Sequence, residues 1–186
     1  MSTYLLVLVS SVFLPILFSF HKRIQFHKKA FHVFKSIFLC SIIFIVWDVI
    51  YTEMGVWGFS PKHHLDVLFG GLPLEEILFF YAIPFCCLFS YFVFKNNISI
   101  KPLEIPAKIY LVFGIGFLLL SYLFIDKAYT LSVCVFTAAI LFILAYKPQP
   151  WFSVFLFSFI LISLGPFLLV NGVLTGLLDS VSPPVW

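Results

Sequence analysis

Glu75 and Glu76 stand side by side in the stretch Gly70-Gly71-Leu72-Pro73-Leu74-Glu75-Glu76-Ile77-Leu78-Phe79-Phe80, at the mouth of a long apolar run. Asp48 and Glu53 lie near the end of the apolar run before it. Ionisable side chains at such places are costly to bury and are therefore functional candidates. The other acids are placed differently: Asp126 and Asp179 fall in links, Glu104 in a basic link, and Asp66 borders the third run. Pro73 suits the first turn of a helix, where its missing N–H has no intrahelical partner anyway. Glu75 and Glu76 then occupy that first turn. The helix dipole there favours the carboxylate by roughly 0.3–1 kcal/mol. Burial in an apolar bundle, and repulsion between neighbouring carboxylates, favour the neutral acid more strongly. If the pair is desolvated, at least one glutamate keeps its proton at neutral pH and can act as a general acid. Successive helical residues point about 100° apart, so one glutamate can face the bundle while the other faces a neighbour or the interface. Only one need be catalytic.

The surroundings are aromatic: Trp47, Tyr51, Trp57, Phe59, Phe69, Phe79, Phe80 and Tyr81. Each aromatic face attracts a cation by about 0.5–2 kcal/mol. A buried acid beside such walls suits protonation of a lipophilic alkene and shielding of the carbocation that results. The competing reading is plainer. Aromatics make up 20% of the chain, so clusters arise by chance, and tryptophan and tyrosine gather at bilayer interfaces in any case. Asp48 either orients a glutamate through a hydrogen bond or closes the end of the second run, and Asn171 has the same two readings near the end of the last. His63 and His64 are adjacent in a link, so their rings diverge and no metal is expected. Gly114 and Gly116 read as positions of close helix packing. No G-x-G-x-x-G pattern is present, so no nicotinamide or flavin cofactor is expected.

These residues sit in a chain of 186 residues that is 62% hydrophobic and only 10% charged, with a mean hydropathy of +1.13. Soluble domains run near 25% charged. The apolar runs approach the roughly 20 residues that cross a bilayer. Backbone in lipid must satisfy its own hydrogen bonds, and the runs do not alternate as barrel strands would, so the fold class is all-α, a polytopic bundle of transmembrane helices. Six spans are expected, near 3–20, 30–51, 70–94, 107–125, 129–146 and 151–170. The first run has no basic residue before it, so it reads as a retained helix rather than a signal peptide. Cys40, Cys86, Cys87 and Cys134 all fall inside apolar runs and read as small core residues rather than disulfide partners.

With the first link inside, the cytoplasmic faces collect Lys22, Arg23, Lys28, Lys29, Lys35, Lys95, Lys101, Lys108 and Lys147, against Lys62 and Lys127 opposite. That bias places the N-terminus outside the cytoplasm, in the cell membrane. The net charge of +3 lies mostly in these links, which excludes a nucleic-acid partner as its reason. A weak internal repeat aligns Asp48 with Asn171 and Thr52 with Thr175; both lead into a Gly- and Pro-containing link with a tryptophan, the second ending at Trp186. It divides the chain into a first three-helix repeat, 1–105, and a second, 106–186, which stops before an acidic motif of its own.

The order Trp47-Asp48, then Gly55-Val56-Trp57-Gly58-Phe59, then Leu72-Pro73-Leu74-Glu75-Glu76-Ile77-Leu78-Phe79-Phe80 resembles the integral-membrane lycopene cyclases, the small helical type found fused or as two subunits. Asn171 to Gly176 and Pro183 to Trp186 look like the opening of that family's second half. The resemblance implies a prenyltransferase-like helical fold and a redox-neutral reaction on lycopene and other carotenoids. A ψ end is protonated, the cation is attacked by a nearby double bond, and proton loss leaves a β-ionone ring, giving gamma-carotene or beta-carotene. It implies Glu75 or Glu76 as proton donor, with Asp48 as a further catalytic candidate, and Trp47, Tyr51, Trp57, Phe79, Phe80 and Asn171 as candidate substrate contacts. It also implies a second proline–acid motif, to be supplied by a second-half polypeptide or within a homo-oligomer. Two rivals remain at this point: a membrane prenyltransferase, for which paired metal-binding acidic motifs are missing, and a non-enzymatic carotenoid- or lipid-binding membrane protein.

Overall fold

The computed structural model describes residues 2–97, 101–178 and 183–185. Asp179 and Trp186, both singled out above, lie outside the described residues. The helices are α1 (Thr3–Ser19), α2 (Ala30–Glu53), α3 (Leu74–Asn97), α4 (Ala107–Leu123), α5 (Ala128–Tyr146), α6 (Pro150–Ser158) and α7 (Leu164–Leu174). A π-helical turn, Phe159–Ser163, joins α6 to α7 just ahead of Pro166, so Pro150–Leu174 is one helical run. Counted so, six helices among the described residues stand where the six apolar runs predict them. Phe26–Glu53, Leu74–Asn97, Ala128–Tyr146 and Pro150–Leu174 are long and apolar enough to cross a membrane; Thr3–Ser19 and Ala107–Leu123 are equally apolar but shorter. The outer faces carry large apolar side chains, among them Phe13, Ile43, Leu119, Ile143 and Leu161. Helices that are apolar all round suit a hydrocarbon surrounding.

The chain forms two compact units, Met1–Ser99 with Ser158–Trp186, and Ile100–Phe157. In the first, α3 packs against α1, α2 and the π-helical turn, and α7 packs against α1. Two apolar clusters form its core: Tyr4, Val7, Leu8, Val170 and Leu174 in one, and Phe26, Ile37 and Phe85 in the other. Prolines inside helices help to join them. A proline leaves the carbonyl four residues earlier without its helical donor, and a buried carbonyl needs a partner. Pro84 does this to Phe80, whose carbonyl accepts instead from the Ser41 hydroxyl of α2 at 2.8 Å. Pro15 does it to Ser11, whose carbonyl lies 3.5 Å from the Cys86 thiol of α3.

The third helix starts later than position 70. Leu68–Phe69 pairs antiparallel with Leu72–Pro73, and Gly70 and Gly71 make the turn with φ of 58° and 83°. Two consecutive left-handed residues are what a two-residue type I′ hairpin requires, and glycine adopts them without strain. The Gly70-Gly71 pair therefore turns the chain before a helix can begin. Pro73 closes the hairpin, and α3 begins at Leu74.

In the second unit α4 packs along α5. Gly114 makes the closest approach: a Cβ placed there would lie 2.7 Å from Cε1 of Phe142. Gly116, also expected at a close contact, would meet nothing within 4 Å. Of the cysteines only Cys134 is buried; Cys86 and Cys87 are half-buried and Cys40 is exposed.

Candidate active site

The two glutamates of α3 meet the first turn of α1. Ser2 caps α1: its hydroxyl accepts from the Leu5 N–H at 3.0 Å, as helix N-caps do. The same hydroxyl donates to Glu75 Oε1 at 2.6 Å. Leu65 N–H donates to that oxygen as well, at 2.7 Å. Glu75 is fully buried and so ties the cap of α1, the loop after α2 and the start of α3 to one oxygen. Glu76, half-buried, accepts a hydrogen bond from the Tyr4 hydroxyl. Tyr4 is itself buried and anchored, its N–H donating to the His63 carbonyl at 3.1 Å. His63 Nδ1 lies 3.2 Å from Thr3 Oγ1, a second tie between that loop and α1.

Asp48 is buried on α2, and Trp57 Nε1 donates to its Oδ1 at 2.7 Å. It neither closes α2, which runs on to Glu53, nor hydrogen-bonds a glutamate. Asp48 Oδ2, Glu75 Oε2 and Thr52 Oγ1 are buried and make no hydrogen bond among the described residues. Buried polar atoms are normally paired, so such exceptions cluster where a site does something besides hold the fold. Glu53 does not join them. Five residues beyond Asp48 is a rotation of about 140° on a helix, and Glu53 is exposed.

Five of the eight expected aromatic residues, Trp47, Tyr51, Trp57, Phe79 and Phe80, form a connected arc together with Phe44, which was not expected. Phe69 is exposed, Tyr81 packs on the cluster of Phe26, Ile37 and Phe85, and Phe59 packs on the cluster that contains Tyr4. Tyr51 stacks on Trp57 at 5.2 Å, and Trp47 meets Tyr51 at 5.1 Å and Trp57 at 6.1 Å. Phe44 links Trp47, at 6.2 Å, to Phe80, at 6.3 Å, and Phe80 meets Phe79 edge-on at 6.2 Å. Phe79 packs on the cluster that contains Tyr4, which returns the arc to the acids. Asn171 is half-buried on α7, and its amide nitrogen donates to the Phe167 carbonyl of its own helix at 3.0 Å. After α7 the chain comes back to the same end of the unit: Val185 bridges to Phe59, and Ser60 N–H donates to the Pro184 carbonyl at 2.9 Å.

Tyr4, Ser2 and Leu65 are the site residues that sequence reasoning missed. A signal existed for two of them. Ser2 immediately before an apolar run is an N-cap pattern, and in an up-and-down chain α1 and α3 start at the same end, which brings Tyr4 level with Glu76.

Fold and site together describe a helical membrane protein with a cluster of buried carboxyl groups walled by aromatic rings. The family model described as lycopene cyclase matches residues 1–94 and 126–186, and every carboxylate of the site lies within the matched stretches. The chain belongs to the lycopene cyclase family. No curated protein and no solved structure matches it.

Proposed function

We propose that the chain carries out the proton-initiated cyclisation of a ψ end of lycopene to a β-ionone ring. The observation that carries this is the Tyr4–Glu76 pair next to Glu75, in the same compact unit as Asp48 and the aromatic arc that holds it through Trp57. Glu76 is the proton donor. Glu75 uses Oε1 to accept two hydrogen bonds that hold three segments together, so it positions the site. Among the described residues Glu76 accepts from one hydroxyl, and that hydroxyl can relay a proton, taking one from water as it gives one up, since a phenol both donates and accepts. In the reaction Glu76 gives its proton to the terminal double bond. An internal double bond then attacks the tertiary cation and closes a six-membered ring, and loss of a neighbouring proton to water restores a double bond. One proton enters and one leaves, so atoms and electrons balance without a redox donor. Trp47, Tyr51, Trp57, Phe79 and Phe80 stabilise the cation with their ring faces, and Asp48, held by Trp57, adds a fixed negative group beside it.

Six membrane crossings in a prenyltransferase-like arrangement, with the site at the non-cytoplasmic end, complete the reading. The test is pigment analysis in lycopene-producing cells that express the chain. Cyclic carotenoid should form without NAD(P)H and disappear with Glu76→Gln. A strict need for NAD(P)H as redox donor would overturn the mechanism. For orientation, an amine reagent applied to intact cells should label Lys62 and Lys127; labelling of Lys22 or Lys28 instead would reverse it.

A further inference from the structure

A groove of about 620 Å³ runs between α1, α3 and the Phe159–Leu174 stretch. Its walls carry small side chains where apolar helices commonly place leucine or phenylalanine: Ser10 and Ser11 on α1, Cys86 and Ser90 on α3, Ser163 and Gly165 on the last helical run. The small residues leave the room, and several of their polar atoms are spent inside the wall. The Ser10 and Ser11 hydroxyls donate to the Val7 carbonyl of their own helix at 2.8 and 2.7 Å, and the Cys86 thiol turns to the Ser11 carbonyl. What faces the groove is mainly hydrocarbon. A ligand rich in polar groups would lose its hydrogen bonds to water there, whereas a slim apolar chain has none to lose.

The groove is aligned with the acids. On α3 its wall begins at Ile83, seven residues past Glu76, which is about 10 Å along the helix. On α1 it begins at Ser10, six residues past Tyr4, about 9 Å along. One apolar layer separates groove from acid: the cluster of Tyr4, Val7, Leu8, Val170 and Leu174, with Phe79 packed on it. Val170 belongs to that cluster and to the groove wall, and Ile83 to the wall and to the residues packed on the cluster.

We propose that this groove holds the polyisoprenoid body of the substrate, a long methyl-branched polyene without polar groups. It presents the terminal double bond to Glu76 past the layer formed by Tyr4, Leu8 and Val170. The identity of the polyene as lycopene rests on the cyclase reading; the groove's preference for a slim apolar chain does not.

Gly165 lines the groove, and a Cβ there would meet nothing within 4 Å, so Gly165→Leu adds bulk at the groove wall where a side chain has room to start. Gly116 on α4 is equally open and is not part of the groove, so Gly116→Leu is the control. Each variant is produced in lycopene-accumulating cells and purified in detergent. Bound lycopene per protein is read by absorbance, bound phospholipid by phosphorus assay, and ring formation by pigment analysis. Gly165→Leu should lower bound lycopene about tenfold, the equivalent of ~1.4 kcal/mol, with Gly116→Leu unchanged. If Gly165→Leu does not give monodisperse protein, Ser90→Leu fills the groove from α3 and the same loss is expected. Loss of bound lycopene in a protein whose wild type forms no ring supports the groove and overturns the cyclase reading. Ring formation in the wild type with undiminished binding in both groove variants overturns the groove. Loss of phospholipid with lycopene unchanged overturns it too, because the occupant is then a lipid acyl chain.

Discussion

The two compact units are both built from apolar helices, yet among the described residues one of them buries acids and the other does not. In Ile100–Phe157 the acids are Glu104 and Asp126, and both are exposed. Its helices meet through close packing, with the Phe142 ring over Gly114. In the other unit Asp48 and Glu75 are almost wholly buried, at 3% and 0% exposure. Taking a carboxylate out of water costs several kcal/mol even after relaxation. The second unit shows that apolar helices of this composition associate without such groups. The buried acids of the first unit are therefore there for chemistry or for positioning, unlike Glu53 and Asp66 of the same unit, which are exposed, and the bonds of the glutamates separate the two roles. Glu75 is held by two donors from two segments, Glu76 by one hydroxyl.

The largest effect expected from breaking this contrast is on turnover. Positioned general acids contribute about 10²–10⁴-fold in rate. Glu76→Gln should lower cyclisation by that order while leaving expression and helical content intact. Glu104→Gln and Asp126→Asn should leave cyclisation at the wild-type level. Equal losses from Glu104→Gln and Glu76→Gln, measured as cyclic carotenoid per unit of protein, would erase the distinction between the units.

A second comparison concerns stability. Glu75→Ala removes the acceptor of the Ser2 hydroxyl and the Leu65 N–H. Each buried donor left alone costs about 1–3 kcal/mol, so thermal unfolding in detergent should occur markedly earlier. Glu75→Gln keeps an acceptor oxygen and should recover much of that loss. In the other unit Gly114→Leu drives a side chain into Phe142, and overpacking of this kind costs about 1–3 kcal/mol. Both variants should unfold early, but only Glu75→Ala should also reduce the turnover of the protein that remains folded. A full loss of turnover in folded Gly114→Leu would show that the site is not confined to the first unit.

What was legible in the sequence follows from what stands out against an apolar background. The helices were legible because each is a long apolar run between charged or proline-containing links. Asp48, Glu75, Glu76 and the tryptophans were legible because charge and indole are rare in such runs. The hairpin at Leu68–Pro73 was not, since its residues are as apolar as the helix they precede and only the Gly70-Gly71 pair marks the turn. Glu53 misled because proximity in sequence to Asp48 does not survive a helical rotation of about 140°. Tyr4 was hidden for the opposite reason. It carries no charge at neutral pH and sits in an ordinary apolar run, and only the meeting of α1 with α3 sets it on Glu76.

Tyr4 also gives the smallest and most discriminating prediction. If the hydroxyl only fills space, Tyr4→Phe, which keeps the ring among Val7, Leu8 and Val170, should change nothing. If it orients Glu76 and resupplies its proton, the bond it donates matters in every turnover. A hydrogen bond to a carboxyl group is worth about 1–3 kcal/mol, so turnover should fall roughly tenfold. Thermal unfolding should shift little beside Glu75→Ala, because Glu76 is only half-buried and its freed oxygen can turn toward the interface. Reprotonation would then come from water directly rather than through the phenol, and the solvent isotope effect on ring formation should change with it. An unchanged rate and isotope effect in Tyr4→Phe would reduce the tyrosine to packing and leave Glu76 as the donor without it.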